Sequence, residues 1–248
     1  MAVESTEKYL QKTFITQVLD SHFCIKSPVF FMDLAEATLS GWCFSQQTAR
    51  SSPADISIAY QDESFYVDAS ILEAPKVVDD LLDALNEFFL CLSYLTAGKN
   101  NTLKLLHCAS YVQDRQNIIL LGEKNSGKSQ QVFTKAMAGY KIYADDLLLW
   151  HPKKSEFIAL GLPLRLRRSA VSLARDSSIK DRFLIGRHVL YSHKKFFNQA
   201  LLGERFSIDK IKVMNQSFEP IDIPIHQFLS RLEQSLISDN FLSYKRDI

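Results

Sequence analysis

The sequence predicts a mixed α/β fold, with a strand-rich N-terminal layer over residues 1–98 and a larger core over residues 99–248. Three features point that way. Ile56, Ile58 and Tyr60 alternate with polar or small residues, Gln61-Asp62-Glu63 follows as a turn, and Phe65-Tyr66-Val67 resumes the apolar run. This is the period-two pattern of a half-buried hairpin. Ile118-Ile119-Leu120-Leu121 is a continuous apolar run that leads straight into a glycine-containing loop, as expected of a strand covered on both faces. Lys128–Ala138 then contains neither proline nor glycine and is closed by Gly139, after which Tyr140–Ala144 again has strand character.

The remaining elements follow in order. Residues 1–50 fit helix and strand equally well. Pro75 reads as the opening of a helix whose Leu81, Leu85, Phe88, Leu92 and Leu95 fall on one face, with Gly98 as its C-terminal cap. Its expected role is to pack the front layer onto the core. Beyond Asp145-Asp146, Leu147–Trp150 stays apolar. The second half alternates short strand-like runs with basic turns. Ile221–Leu236 reads as an amphipathic helix after Pro224, carrying Ile225, Phe228, Leu229, Leu232 and Leu236, and Ser243–Ile248 as a loose tail.

Composition narrows the partners. Hydrophobic residues at 46% and charged residues at 23% are those of a soluble globular protein. A net charge of +1 argues against a nucleic-acid binder, whose phosphate contacts call for a basic excess. Cys24, Cys43, Cys91 and Cys108 show no C-x-x-C spacing, so they are expected to be reduced thiols of a cytoplasmic protein. Glu4, Glu7 and Lys8 stand where a secretory signal would be apolar, and Asp83, Asn86 and Glu87 interrupt Leu81–Leu95. Neither a signal nor a membrane span is expected.

Gly122-Glu123-Lys124-Asn125-Ser126-Gly127-Lys128-Ser129 matches G-x-x-x-x-G-K-[S/T] at every fixed position. The glycines let the backbone curl, so that successive N–H groups point into one concavity. The helix that begins there presents its positive end to the same anion. Lys128 would reach the outer phosphates, Ser129 would offer its hydroxyl to Mg²⁺, and Gln130 in the first turn joins the expected nucleotide contacts. The plain alternative is a glycine turn joining strand to helix. Asp145-Asp146 sits at a strand end one helix further on. One carboxylate there could hold Mg²⁺ and the other could accept the proton of an attacking hydroxyl; a solvated acidic turn is the alternative. His107, beside the apolar Leu105-Leu106, fits a core histidine as readily as a functional one. Arg165 and Arg167 share a face if Gly161–Arg168 is extended, and could meet phosphate oxygens or an acidic peptide. A solvated basic edge strand accounts for them equally well. Arg182, Arg187, Lys194 and Lys195 read as surface.

A histidine about fifteen residues ahead of the loop, the loop itself, a helix, and then Gly139-Tyr140-Lys141-Ile142-Tyr143-Ala144-Asp145-Asp146 together resemble the catalytic domain of HPr kinase/phosphorylase and its shorter relatives. The resemblance covers roughly residues 103–170. It implies a P-loop kinase core like that of phosphoenolpyruvate carboxykinase, with ATP as donor, Mg²⁺ as cofactor and a serine hydroxyl of a peptide or small protein as acceptor. By the same resemblance, Lys128 and Ser129 take the phosphate and metal roles and Asp145 is the general base. Asp146 is a metal ligand or second acid, and His107 lies close to the transferred phosphoryl group. Gly161–Arg165 looks like the glycine-proline segment that follows the paired aspartates in the shorter relatives. Those relatives include kinases of natural-product precursor peptides and of free serine. Two other readings stay open: a nucleotide-binding module that transfers no phosphate to protein, and a small-molecule kinase.

Overall fold

In the computed structural model, which describes residues 9–47, 53–167, 180–215 and 217–237, the N-terminal layer is a six-stranded sheet. β1 (Gln11–Val18) and β2 (Ser21–Pro28) form a hairpin, and β3 (Ser45–Gln47) pairs with the outer side of β1. β4 (Ile56–Gln61), β5 (Ser64–Ala69) and β6 (Lys76–Val78) continue beyond β2. The β4–β5 turn rests on Asp62 and Glu63 at φ 48° and 62°, the two-residue turn whose twist matches paired strands. Ile56, Ile58, Phe65 and Val67 face inward, onto α1 (Val29–Thr38) and α2 (Leu81–Gly98), in one apolar cluster with Phe31, Leu85, Phe88 and Leu92.

Two boundaries differ from the sequence expectation. Residues 76–78 pair with β5 instead of opening the helix at Pro75. Asp80 caps α2, its carboxylate accepting from the N–H groups of Leu82 and Asp83, which fixes the later start. Gly98 is the last helical residue, and the chain leaves through Lys99 in right-handed conformation. No left-handed cap is therefore required there.

The core contains β7 (Lys104–His107), β8 (Ala109–Gln113), β9 (Gln116–Leu121), α3 (Lys128–Met137), β10 (Ile142–Ala144), β11 (Leu147–His151) and β12 (Glu156–Ile158). It continues through β13 (Arg165–Arg167), β14 (Phe183–Ile185), β15 (Val189–Ser192), β16 (Arg205–Phe206), β17 (Lys210–Met214), β18 (Pro220–Asp222) and α4 (Phe228–Gln234). Three sheets result, ordered β10-β8-β9-β17-β18, β16-β12-β11-β7 and β13-β15-β14. Within them β17 runs parallel to β9 and the other described pairs are antiparallel.

One feature of this topology positions the site. The chain passes from the second sheet to the first at Cys108, between β7 and β8, and returns at Asp145-Asp146, between β10 and β11. The two crossings are bonded to each other: the Cys108 N–H donates to the Asp146 carbonyl at 3.0 Å, and Leu147 lies opposite His107.

The C-terminal region also differs from expectation. Ile221 belongs to β18, Ile225–Gln227 is a single 3-10 turn after Pro224, and the α-helix spans only Phe228–Gln234. The pairing of β18 with β17 withdraws the first residues from any helix. Leu236 instead bridges Leu106 as an added edge to β7. Ser243–Ile248 and Arg168 lie outside the described residues. No described helix is long and apolar enough to cross a membrane. The four cysteines are free thiols, with Cys91 and Cys108 buried.

The front layer is keyed to the core at Gly161. A Cβ there would stand 2.0 Å from the Ser40 carbonyl oxygen, and φ is +65°, so only glycine fits. The Ser40 N–H donates to the Gly161 carbonyl (2.8 Å), the Leu202 N–H to the Ser40 carbonyl (2.9 Å), and Trp42 Nε1 to the Leu160 carbonyl (2.7 Å).

Candidate functional site

β9 delivers the chain to Gly122 from inside the sheet. A Cβ at Gly122 would lie 2.6 Å from Ser126 Oγ, while Gly127, at φ +91°, is the N-cap of α3. Asn125 completes the curl at φ 68°, held by Arg167, whose Nη1 donates to Asn125 Oδ1 at 2.5 Å. Glu123, Lys124, Asn125 and Gln130 are exposed, whereas Ser126, Gly127 and Ser129 are half-buried. Lys128 is buried and turns back over the loop, its Nζ donating to the carbonyls of Gly122 (2.7 Å) and Glu123 (3.1 Å). Burial lowers the pKa of Lys128, and the charges of Asp146 and Asp145 oppose that fall. The Ser126 hydroxyl is buried without a hydrogen-bond partner among the described residues.

The paired aspartates part company at the sheet crossing. Asp145 is only 5% exposed. Its Oδ2 accepts from the Arg165 N–H at 2.8 Å, and its Oδ1 is buried without a partner among the described residues. Burial pushes its carboxyl up to about 7. Asp146 adds to the rise, while the Arg165 amide and the Ser129 hydroxyl oppose it. Ser129 thus stands beside Asp145 without a well-formed bond to Oδ1. Asp146 is half-exposed, with Oδ1 2.9 Å from His107 Nε2 and Oδ2 3.9 Å from Arg165 Nη1. Burial raises its carboxyl, but the His107 hydrogen bond and the charges of His107, Arg165 and Lys128 prevail and hold it below the usual carboxylate range. Two adjacent acids whose surroundings push them in opposite directions are suited to different proton-transfer roles.

The structure therefore brings Lys128, Ser129, Asp145, Asp146, His107 and Arg165 together. Arg165 and Arg167 flank buried Leu166 and both line a cleft of about 1170 Å³ with the loop, His107 and Asp146. Arg165 turns to Asp146 and Arg167 to the loop, which sets their roles apart. Both stand on an edge strand, with Arg167 exposed and Arg165 half-buried.

Other lining residues had no signal in the sequence. Asn215 and Phe218 come from the β17–β18 turn, and Arg231 and Ser235 from the C-terminal segment. That segment meets the site because the His107 N–H donates to the Ser235 carbonyl and the Ile237 N–H to the Leu105 carbonyl. Only the parallel register of β17 on β9, which sequence periodicity does not report, places the β17–β18 turn beside the loop.

No model of a known protein family matches the chain, and no curated protein matches it. What the site can do is decided by its own groups.

Among the described residues no cluster of three or more His, Cys, Asp or Glu could hold a metal ion. The groups present are hard oxygen donors: the Ser129 hydroxyl and the two carboxylates. Mg²⁺ commonly takes one or two carboxylates and completes its shell with water and phosphate oxygens. The Ser129 hydroxyl and the carboxylate of Asp146, which His107 and Arg165 hold below the usual carboxylate range, are donors of that kind.

Proposed function

We propose that this chain is a phosphotransferase of the HPr kinase/phosphorylase-like kind, moving the γ-phosphate of ATP to a serine hydroxyl of a peptide or small protein. The observation that carries the reading is a cleft lined by the glycine loop, His107, Asp146 and Arg165, with the buried Lys128 and Asp145 just behind it and the two adjacent carboxylates perturbed in opposite directions.

The loop amides and the start of α3 bind the polyphosphate, and Lys128 supplies positive charge to its outer phosphates. Ser129 and Asp146 would hold Mg²⁺, which when bound neutralises charge on the phosphates. Asp145, near 7, is deprotonated in a useful fraction at neutral pH and still basic enough to take the acceptor's hydroxyl proton. The acceptor oxygen bonds to the terminal phosphorus as the bond to the bridging oxygen breaks, and ADP leaves. Asp146, kept ionised by His107 and Arg165, holds both partners in place on the floor of the cleft.

The bonding of Lys128 to two loop carbonyls favours a second reading, a nucleotide-binding module without transfer. A small-molecule kinase acting on free serine uses the same machinery.

Mass spectrometry after incubation with ATP and Mg²⁺ separates the three, using wild type and Lys128→Ala against peptides encoded beside the gene and free serine. One added phosphate on a peptide, absent with Lys128→Ala, supports the proposal. Phosphate on free serine alone selects the small-molecule kinase. ATP binding without any acceptor gain selects the binding module.

A further inference from the structure

Phe218 is out of place as a packing residue. Among the described residues it is the most exposed of the large apolar side chains, at 63%. Its backbone lies at φ 60°, a left-handed conformation that a bulky side chain seldom adopts. Such outliers persist where the surroundings hold them. Here the hold comes from Asn215, which fastens the β17–β18 turn three ways. Its N–H donates to the Glu219 carbonyl (2.9 Å), its carbonyl accepts from the Phe218 N–H (3.1 Å), and its Oδ1 accepts from the Glu219 N–H (2.8 Å).

The turn presents the ring to the phosphate loop. A Cβ at Gly127 would lie 3.1 Å from Phe218 Cδ1 and 3.6 Å from Phe218 Cβ, so the aromatic packs on the very glycine that starts α3. Met214 packs beside it, its Cβ 3.1 Å and its Cε 3.5 Å from the positions a Cβ would take at Gly122 and Gly127. Phe218, Met214 and Asn215 line the same cleft as the loop. That cleft, at about 1170 Å³, is larger than a chain of phosphates needs. The polar groups suited to phosphate belong to the loop and β13. The apolar and amide groups belong to the β17–β18 turn.

We propose that Phe218 is the stacking platform for the nucleobase of the donor, with Met214 flooring it and the Asn215 turn holding it in place, so that the site selects a nucleoside triphosphate over inorganic polyphosphate. This rests on the phosphate-loop reading above. Every nucleobase has a π-face, and an aromatic platform contributes to binding by stacking without a fixed hydrogen-bond code.

Calorimetric titration of ATP and of inorganic tripolyphosphate, each with Mg²⁺, into wild type, Phe218→Ala, Phe218→Trp and Lys128→Ala tests it. Wild type is expected to bind ATP roughly tenfold or more tighter than tripolyphosphate, a margin set by one stacked base. Phe218→Ala loses that margin with tripolyphosphate affinity unchanged. Phe218→Trp keeps it, and the emission of the added indole changes with ATP and not with tripolyphosphate. Equal binding of the two ligands by wild type overturns the platform. So does Phe218→Ala retaining the margin, or both Phe218 variants weakening both ligands alike. In those cases tripolyphosphate binding that Lys128→Ala abolishes leaves the loop reading standing. Failure of wild type to bind either ligand overturns both.

Discussion

His107 Nε2 and Asp146 Oδ1 stand 2.9 Å apart where two strands change sheets, and the backbone joins the same two crossings through the Cys108 N–H and the Asp146 carbonyl. The side-chain contact is thus fixed at both ends by main chain. His107→Ala removes a hydrogen bond that holds Asp146 below the ordinary range, so its carboxyl rises. Phosphotransfer should fall roughly 100-fold. Combining His107→Ala with Asp146→Asn should cost little beyond Asp146→Asn alone. Steady-state kinetics of the four proteins checks this, and independent, multiplying losses would sink the coupling.

Asp145→Asn keeps the shape of the carboxyl and removes its basicity. Transfer is expected to fall about 100- to 10,000-fold while nucleotide affinity changes little. In wild type kcat/KM should rise with pH through about 7, the value to which burial lifts this acid. A flat profile from pH 5 to 9 would remove Asp145 from the base role.

The same acid has a signature in stability. Its folded value, about 7, lies above its ordinary 3.8, so between those limits the native state keeps a proton that the unfolded chain has released. Stability contributed by Asp145 is therefore full below about pH 4 and lost as pH rises toward 7. Asp146 has the opposite sign: its lowered value contributes stability at neutral pH that is lost only in strong acid. Thermal unfolding of wild type and Asp145→Asn across pH 4–8 should show a decline in wild type that the variant lacks.

Gly161→Ala places a methyl 2.0 Å from the Ser40 carbonyl oxygen at φ +65°. The expected loss is about 2 kcal/mol or more, the size typical of strain at a left-handed position with backbone against it. Denaturant titration measures it. Gly98→Ala, where nothing lies within 4 Å of the added atom, should be neutral or slightly stabilising.

Thiol labelling should follow burial. Cys43 is exposed and should react first in the native protein, with half-exposed Cys24 slower. Burial pushes the Cys91 thiol up to about 12 and the Cys108 thiol higher still, so both should react only on unfolding. Peptide mapping after timed alkylation distinguishes the four.

The parts of the site legible in the sequence are those built from contiguous residues. Gly122–Ser129 and Asp145-Asp146 each declare themselves within a few positions, and the Asp62-Glu63 hairpin follows from its alternating flanks. Arg165 was visible as a charge, but its main-chain bond to Asp145 depends on β13 reaching the crossing from another sheet. The start of α2 is not legible because a proline and a capping aspartate lie five residues apart, and Asp80, not Pro75, binds the orphan amides. Residues 29–38 carry Val, Phe and Thr, which suit strand as well as helix, and burial against the sheet decides for helix. Phe218 has no periodic neighbours, so only the parallel pairing of β17 with β9 reveals where it stands.

The contacts at Ser40, Trp42 and Gly161 bear on how this chain can be cut. Residue 98 looks like a seam on paper, at the foot of a long helix. A fragment starting just after it would strip the Gly161 and Leu160 carbonyls and the Leu202 N–H of their partners and uncover Tyr191, whose hydroxyl donates to Asn86 of α2. Tyr191 neighbours Arg165 across β13 and β15, so the scission would be felt within one residue of the paired acids. The front layer is in this sense a brace: its Ser40, Trp42 and Asn86 satisfy polar groups of the core that a cut at residue 98 would leave unpaired.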